Sequence, residues 1–244
     1  MKKVISLIRR ILVLAAAGGF LWYTGDYYHA EPEALAALES DGEVTVEKTE
    51  YGWLFDGPSG TDALIFYPGG KVEETAYAPF LRELAREGMD VLLVKMPFRL
   101  AVFSPGRAGK VMSLYDYDRW YIGGHSLGGA MAAVYAAGHE EFTGLILCAA
   151  YPTKELDEDL TVMTVYGSND RVLNMDKVEE GRALVPPDAV EHVIEGGNHA
   201  QFGNYGEQSG DGQAIIPAEE QQKEAAAVII ENTVRDRRQA SENS

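Results

Sequence analysis

The chain has 244 residues, 46% of them apolar and 24% charged, with a formal net charge of −17. That length builds one α/β domain with a substantial core and is too short for two comfortable ones. So acidic a chain argues against a nucleic-acid partner, because phosphate binding requires a basic footprint.

The first ten residues run against this balance, with Lys2, Lys3, Arg9 and Arg10 and no acid among them. They lead into the uncharged run Ile11–Tyr23, a pattern that reads as a targeting segment and not as part of the fold. As a helix that run spans only about 20 Å, short of the ~30 Å hydrocarbon core. Val4–Ile8, with Arg9 and Arg10 snorkelling, extend it. Small residues for signal cleavage are poorly placed, since Tyr28-His29-Ala30 fits badly and Ala15–Ala17 lies inside the apolar run. Residues 1–30 are therefore expected to form an uncleaved single-pass signal anchor, basic end in the cytoplasm and body outside. Trp22 and Tyr23 then fall in the interfacial aromatic belt. The alternative is a body secreted after cleavage. Residues 31–43 read as a linker in which Glu31–Leu38 forms a short juxtamembrane helix.

Within residues 44–234, Val44–Thr49 and Tyr51–Phe55 alternate as a hairpin does, and Asp56–Gly60 has turn chemistry. Ala63–Tyr67 is wholly apolar, as a parallel strand buried on both faces is, and runs into Pro68-Gly69-Gly70-Lys71. Thr75–Glu87 has helical periodicity through Tyr77, Phe80, Leu81, Leu84 and Ala85, and Gly88 stops it. Asp90–Lys95 is a strand and Ala108–Leu114 a short helix. Trp120–Ile122 is a strand leading through Gly123-Gly124-His125-Ser126-Leu127-Gly128-Gly129 into a helix that ends at Ala137. Gly144–Ala149, Thr161–Tyr166 and Val190–Ile194 read as strands, Met175–Leu184 as a helix, and Pro217–Val234 as a long closing helix. Residues 235–244 form a polar tail. This alternation predicts an α/β fold, a mainly parallel sheet with helices on both faces. Residues 96–107 leave room for an overhang but no large cap domain, so an open, shallow site is expected. Cys148, the only cysteine, sits in a strand-like run and reads as a buried structural thiol.

Gly124-His125-Ser126-Leu127-Gly128 satisfies G-x-S-x-G between a strand and a helix, the context that makes the pattern a nucleophile elbow. Gly124 and Gly128 give the sharp turn its room. Without a catalytic role Ser126 would read as an ordinary helix N-cap. A serine needs a base that is itself oriented by an acid, and both collect at the carboxyl ends of strands. His199, in Gly196-Gly197-Asn198-His199 after the last strand, is best placed among the five histidines. Asp170, beyond the strand ending at Tyr166, completes the order Ser…Asp…His. Asp176 opens a helix, and Asp157 and Asp159 precede the strand. The backbone N–H of Leu127, with that of Gly70 or Lys71, is expected to form the oxyanion hole. The stretch after His199, with Gln201, Phe202, Asn204 and Tyr205, forms either a substrate wall or a surface connection. No metal-ligand spacing or nucleotide-binding fingerprint is present, so neither metal nor cofactor is expected.

These residues resemble the α/β-hydrolase superfamily over about residues 44–234, and more narrowly the compact fold-5 group related to the dienelactone hydrolases. The likeness rests on Tyr67–Glu73 with Tyr77-Ala78-Pro79, Val94–Pro97, the elbow, Gly167–Asp170 and Gly197–His199. It implies Ser126, Asp170 and His199 as a triad. The chain departs from dienelactone hydrolases in having serine where they have cysteine, and from many esterases in having Pro68-Gly69-Gly70 where they have His-Gly. The expected activity is hydrolysis of a carboxylic ester, either a small molecule or an envelope ester. The alternatives are an acyltransferase on an envelope component using the same triad, and a non-catalytic binding protein on a hydrolase fold.

Overall fold

The computed structural model of the chain describes residues 2–58 and 60–235. Met1, Ser59 of the expected turn and residues 236–244 of the expected tail lie outside the described residues. Eight strands form one sheet in the order β1-β2-β4-β3-β5-β6-β7-β8. They are β1 (Thr45–Lys48), β2 (Gly52–Asp56), β3 (Asp62–Tyr67), β4 (Asp90–Val94), β5 (Arg119–His125), β6 (Phe142–Cys148), β7 (Thr161–Gly167) and β8 (Val190–Ile194). β1 and β2 form the expected antiparallel hairpin, and β2 lies antiparallel to β4. Every other neighbour pair is parallel. The chain passes from β3 to β4 on one side and returns to β5 on the other. The strand order therefore reverses beside β3, and in open α/β sheets ligands bind outside the carboxyl ends of the strands at such a switch point.

Alternation along β3 divides the core. Leu64 and Phe66 join the cluster under α3 (Ala78–Arg86) and α7 (Ala218–Ile230). Ala63, Ile65 and Tyr67 face the cluster under α4 (Arg107–Met112) and α5 (Leu127–Ala136), so that β3 is buried on both faces. Phe80, Leu81 and Leu84 of α3 are wholly buried, each stabilising the fold by roughly 1.5–3 kcal/mol over exposure. Element ends differ from expectation where local chemistry intervenes. Pro79 delays α3, leaving Glu74–Tyr77 as a 3-10 turn. The helix expected to end at Leu184 stops as α6 (Met175–Gly181), and the last turn of the closing helix widens into a π-helix over Glu231–Arg235.

The N-terminal helix α1 (Lys2–Gly25) runs unbroken through Arg9 and Arg10. Over Ile5–Gly25 it has the length and apolarity of a membrane anchor or a signal sequence. Residues 31–43, expected as a linker, carry α2 (Pro32–Ala36) and are fastened to the body. The reason is Arg82 of α3, which donates to the carbonyls of Ala37 (2.8 Å) and Glu39 (2.6 Å) and pairs with Asp41 at 2.6 Å.

Asp90, at the opening of β4, is buried and accepts from the Gly57 amide at 2.8 Å and the Tyr117 hydroxyl at 2.9 Å. Burial pushes its carboxyl up to about 6, against the lowering effect of those donors. A raised carboxyl favours folding in its neutral form. Its contribution is present below the unfolded value and is lost as pH rises through about 6. Urea midpoints of the wild type should therefore fall between pH 5 and 7.5 relative to those of Asp90→Asn. Parallel midpoints across that range would refute the assignment.

Candidate active site

Ser126 comes directly after the last residue of β5 and precedes α5, with φ 53° and ψ −124°. A β-carbon at φ > 0 costs backbone energy, of order 1–3 kcal/mol, that the surroundings must impose. The surroundings are tight: a Cβ on either Gly124 or Gly128 would overlap the Tyr67 carbonyl of β3. The Ser126 side chain makes no capping hydrogen bond to α5, so its hydroxyl is not spent on the helix.

Asp170 stands beyond the end of β7. Its Oδ1 accepts from the amides of Val172 and Leu173, both at 2.8 Å, and its Oδ2 accepts from His199 Nδ1 at 2.8 Å. Both side chains are sealed, with His199 at 2% exposure and Asp170 at 1%. With Nδ1 held, Nε2 on the other side of the His199 ring is buried and has no hydrogen-bond partner among the described residues. The His199 loop is clipped to α7 by the buried Gln221, whose Oε1 accepts from the Asn198 amide (2.9 Å) and whose Nε2 donates to the Asn198 carbonyl (2.8 Å). Asp211 accepts from the Ala200 amide at 2.9 Å.

A buried relay joins this loop to the one after β3. The His199 carbonyl can only accept, so His125 Nε2, 3.0 Å away, carries the ring proton. His125 Nδ1 then accepts from the Tyr77 hydroxyl at 2.8 Å, and that oxygen accepts from the Gly69 amide at 3.0 Å. Burial first, and then the nearby His199, push the His125 imidazole well below its usual pKa, keeping it neutral as the relay requires. Sequence reasoning puts His125 beside the serine without a role, gives Tyr77 only a place on an apolar helix face and in the family likeness, and misses Gln221 and Asp211. Gln221 is detectable, because Gln221, Ala225 and Ile229 share one stripe of α7 that is otherwise apolar.

The two candidates for the second oxyanion donor separate. The Lys71 amide donates to the Arg99 carbonyl at 2.9 Å, which removes Lys71. Gly70 lies against Leu127, since a Cβ on Gly70 would come within 2.9 Å of Leu127 Cδ2. The expected substrate wall is also corrected. Phe202 is wholly buried beside His125 (ring centroids 5.6 Å) and Phe80 (6.2 Å). Tyr205 is buried between Tyr77 and Tyr28. The Asn204 amide, by donating to the Ala76 carbonyl at 2.8 Å, turns these aromatics inward. Gln201 and Asn204 border a polar cavity of about 620 Å³ that neither Ser126, Leu127 nor Gly70 lines. Phe202 and Tyr205 are therefore core residues, while Gln201 and Asn204 face that cavity. Cys148 is wholly buried, as expected, and burial pushes its thiol pKa up.

Residues 63–223 match the sequence model of a family described as the alpha/beta hydrolase family. No curated protein matches the chain in sequence. Among solved structures, the chain is similar to TT1662 from Thermus thermophilus, with a TM-score of 0.56 at 12% identity, over 78% of this chain and 98% of that one. It is similar to a predicted CIB-like hydrolase from Thermoplasma acidophilum, with a TM-score of 0.52 at 13% identity, over 76% and 98%. The hydrolase GrgF from Penicillium sp. sh18 aligns with a TM-score of 0.50 at 11% identity, over 64% and 90%. At such identities the likeness speaks for the fold and not for a substrate.

Proposed function

The chain belongs to the alpha/beta hydrolase family, and on that premise we propose that it is a serine hydrolase cleaving carboxylic esters, with Ser126 as nucleophile, His199 as base and Asp170 as orienting acid. The observation that carries this reading is the His199–Asp170 pair, with Nδ1 engaged and Nε2 buried and without a hydrogen-bond partner among the described residues, together with an elbow serine whose hydroxyl makes no cap to α5. Ser126 Oγ attacks the ester carbonyl while its proton passes to His199 Nε2. Asp170 holds the tautomer that can accept that proton and stabilises the imidazolium. The oxyanion is held by the amides of Leu127 and Gly70. The alcohol leaves with the proton from His199, and water then repeats the sequence to release the acid. One water is consumed per ester. The brevity of the segment over residues 96–107, two 3-10 turns at Pro97–Arg99 and Ala101–Phe103, supports placing the protein near the compact, dienelactone-hydrolase-related group.

The apolar stretch Ile5–Gly25, behind Lys2, Lys3, Arg9 and Arg10, supports a membrane-directed α1 with the body outside the cytoplasm, as an anchor or a signal sequence would give. The segment just after α1 is what supports retention. The Tyr28 amide donates to the Lys71 carbonyl at 2.8 Å and the Glu73 amide to the Tyr28 carbonyl at 2.8 Å, so this segment is built into the body. The test of the activity is a fluorophosphonate probe on the full-length protein in detergent. Adduct mapped to Ser126, and absent in His199→Ala, is expected. A folded protein that takes no label would overturn the reading.

A further inference from the structure

Strained backbone and exposed aromatic side chains coincide where the end of α1 meets the overhang after β4. Phe20 of α1 packs edge-on against Phe98 (5.2 Å between ring centroids) and Phe103 (5.7 Å), which also touch each other at 5.7 Å. Around this triangle Phe98, Val102 and Phe103 are each about half exposed, at 48%, 46% and 50%. Phe98 and Arg99 have φ of 54° and 56°, and Lys71, which donates its amide to Arg99, has φ 60°. Three non-glycine residues at positive φ show that neighbouring structure holds these loops against their own preference. Arg99 lies 3.3 Å over the Tyr27 ring, and Lys71 lies 4.3 Å over the Tyr23 ring and pairs with Asp26 at 3.2 Å. The same overhang borders the chemistry, because Leu100 lies with Leu127 beside Gly70.

We propose that Phe98, Val102 and Phe103 dock into the lipid bilayer beside α1, so that the Ser126 cleft opens onto the membrane and takes bilayer-borne amphiphilic esters. The inference rests on the anchored serine-hydrolase reading above. The bilayer is singled out as occupant by continuity with α1, the element with the length and apolarity to lie in it. Phe20 lies five residues before the helix end, about 7 to 8 Å along the axis. Side chains that touch it sit at the depth of an interfacial aromatic belt, next to Trp22 and Tyr23. Ester carbonyls of membrane amphiphiles lie at this boundary, with their chains below and polar heads above. A substrate of that kind reaches Ser126 by sliding laterally and does not need to leave the membrane. A small soluble ester gains nothing from the patch.

The test uses the full-length protein reconstituted into phosphatidylcholine–phosphatidylglycerol vesicles. Phe103→Cys carries a nitroxide label, as does Ile215→Cys, a 77%-exposed residue beside Gly196 in the loop after β8, while the buried Cys148 does not compete for label. The label at 103 should relax with oxygen and resist a water-soluble nickel chelate, the reverse of the label at 215. Nickel access at 103 equal to that at 215, or access to neither reagent, would overturn the proposal, the latter because protein then covers the patch. In parallel, Phe98→Ser/Phe103→Ser should lower the ratio of turnover on a vesicle-embedded long-chain ester to that on a soluble short-chain ester at least tenfold. An unchanged ratio counts against the proposal. If the wild type cleaves neither ester, the hydrolase reading fails, while the label depths still decide the docking.

Discussion

Ser126→Ala is expected to reduce kcat by about 10⁴- to 10⁶-fold, the scale seen when a serine nucleophile is deleted from an intact triad. Alanine keeps the β-carbon, so the backbone at φ 53° bears the same strain and the fold loses nothing it was using. The serine hydroxyl makes no capping bond whose loss would loosen α5. Melting temperature should therefore move by no more than about a degree or two, as for substitutions that break no buried contact. The measurement is turnover of a chromogenic ester alongside a thermal melt. Retention of more than a hundredth of the wild-type rate with the same pH profile would move the chemistry away from Ser126.

The second large effect is expected at Asp170→Asn. Its Oδ1 is fixed by the amides of Val172 and Leu173, so an asparagine there keeps its carbonyl on those donors and turns its NH₂ toward His199. His199 Nδ1 must then accept, the ring proton moves to Nε2, and Nε2 can no longer take the serine proton. The loss should be about 10³- to 10⁴-fold in kcat, with little change in KM and a folded protein. Labelling by the fluorophosphonate should slow in parallel. A loss below tenfold would mean that another acid orients the imidazole.

Most of the architecture is legible in the sequence because it depends on local chemistry. The apolar run Ala63–Tyr67 has one stable setting, between two helical layers, and the glycines at 124 and 128 are demanded by the Tyr67 carbonyl beside them. Strand ends and chain order bring Asp170 and His199 together, and their hydrogen bond is a consequence of the parallel pairing of β7 with β8. The illegible part depends on partners far along the chain. Nothing near Lys71 says that its amide belongs to the Arg99 carbonyl, so Gly70 and Lys71 read as equivalent. Phe202 and Tyr205 read as a wall because aromatics after a catalytic loop look alike whether they face a cleft or a core. Only the return to Ala76 turns them inward. His125 gives no sign of its part in the relay, which needs Tyr77 from one loop and the His199 carbonyl from another.

The pairing of Tyr28 with both sides of Val72 has a bearing on where this activity can occur. Residues 26–28 act as a strut on the loop that carries Gly70, through the Lys71 carbonyl, the Glu73 amide and the Asp26–Lys71 ion pair. A protease that shed the body by cutting near residue 30 would take the strut away with the helix. The freed fragment would keep serine, histidine and aspartate but lose the bracing of its oxyanion loop. On the proposed anchored reading, escape into the aqueous phase would silence the activity, and no inhibitor would be needed to confine it.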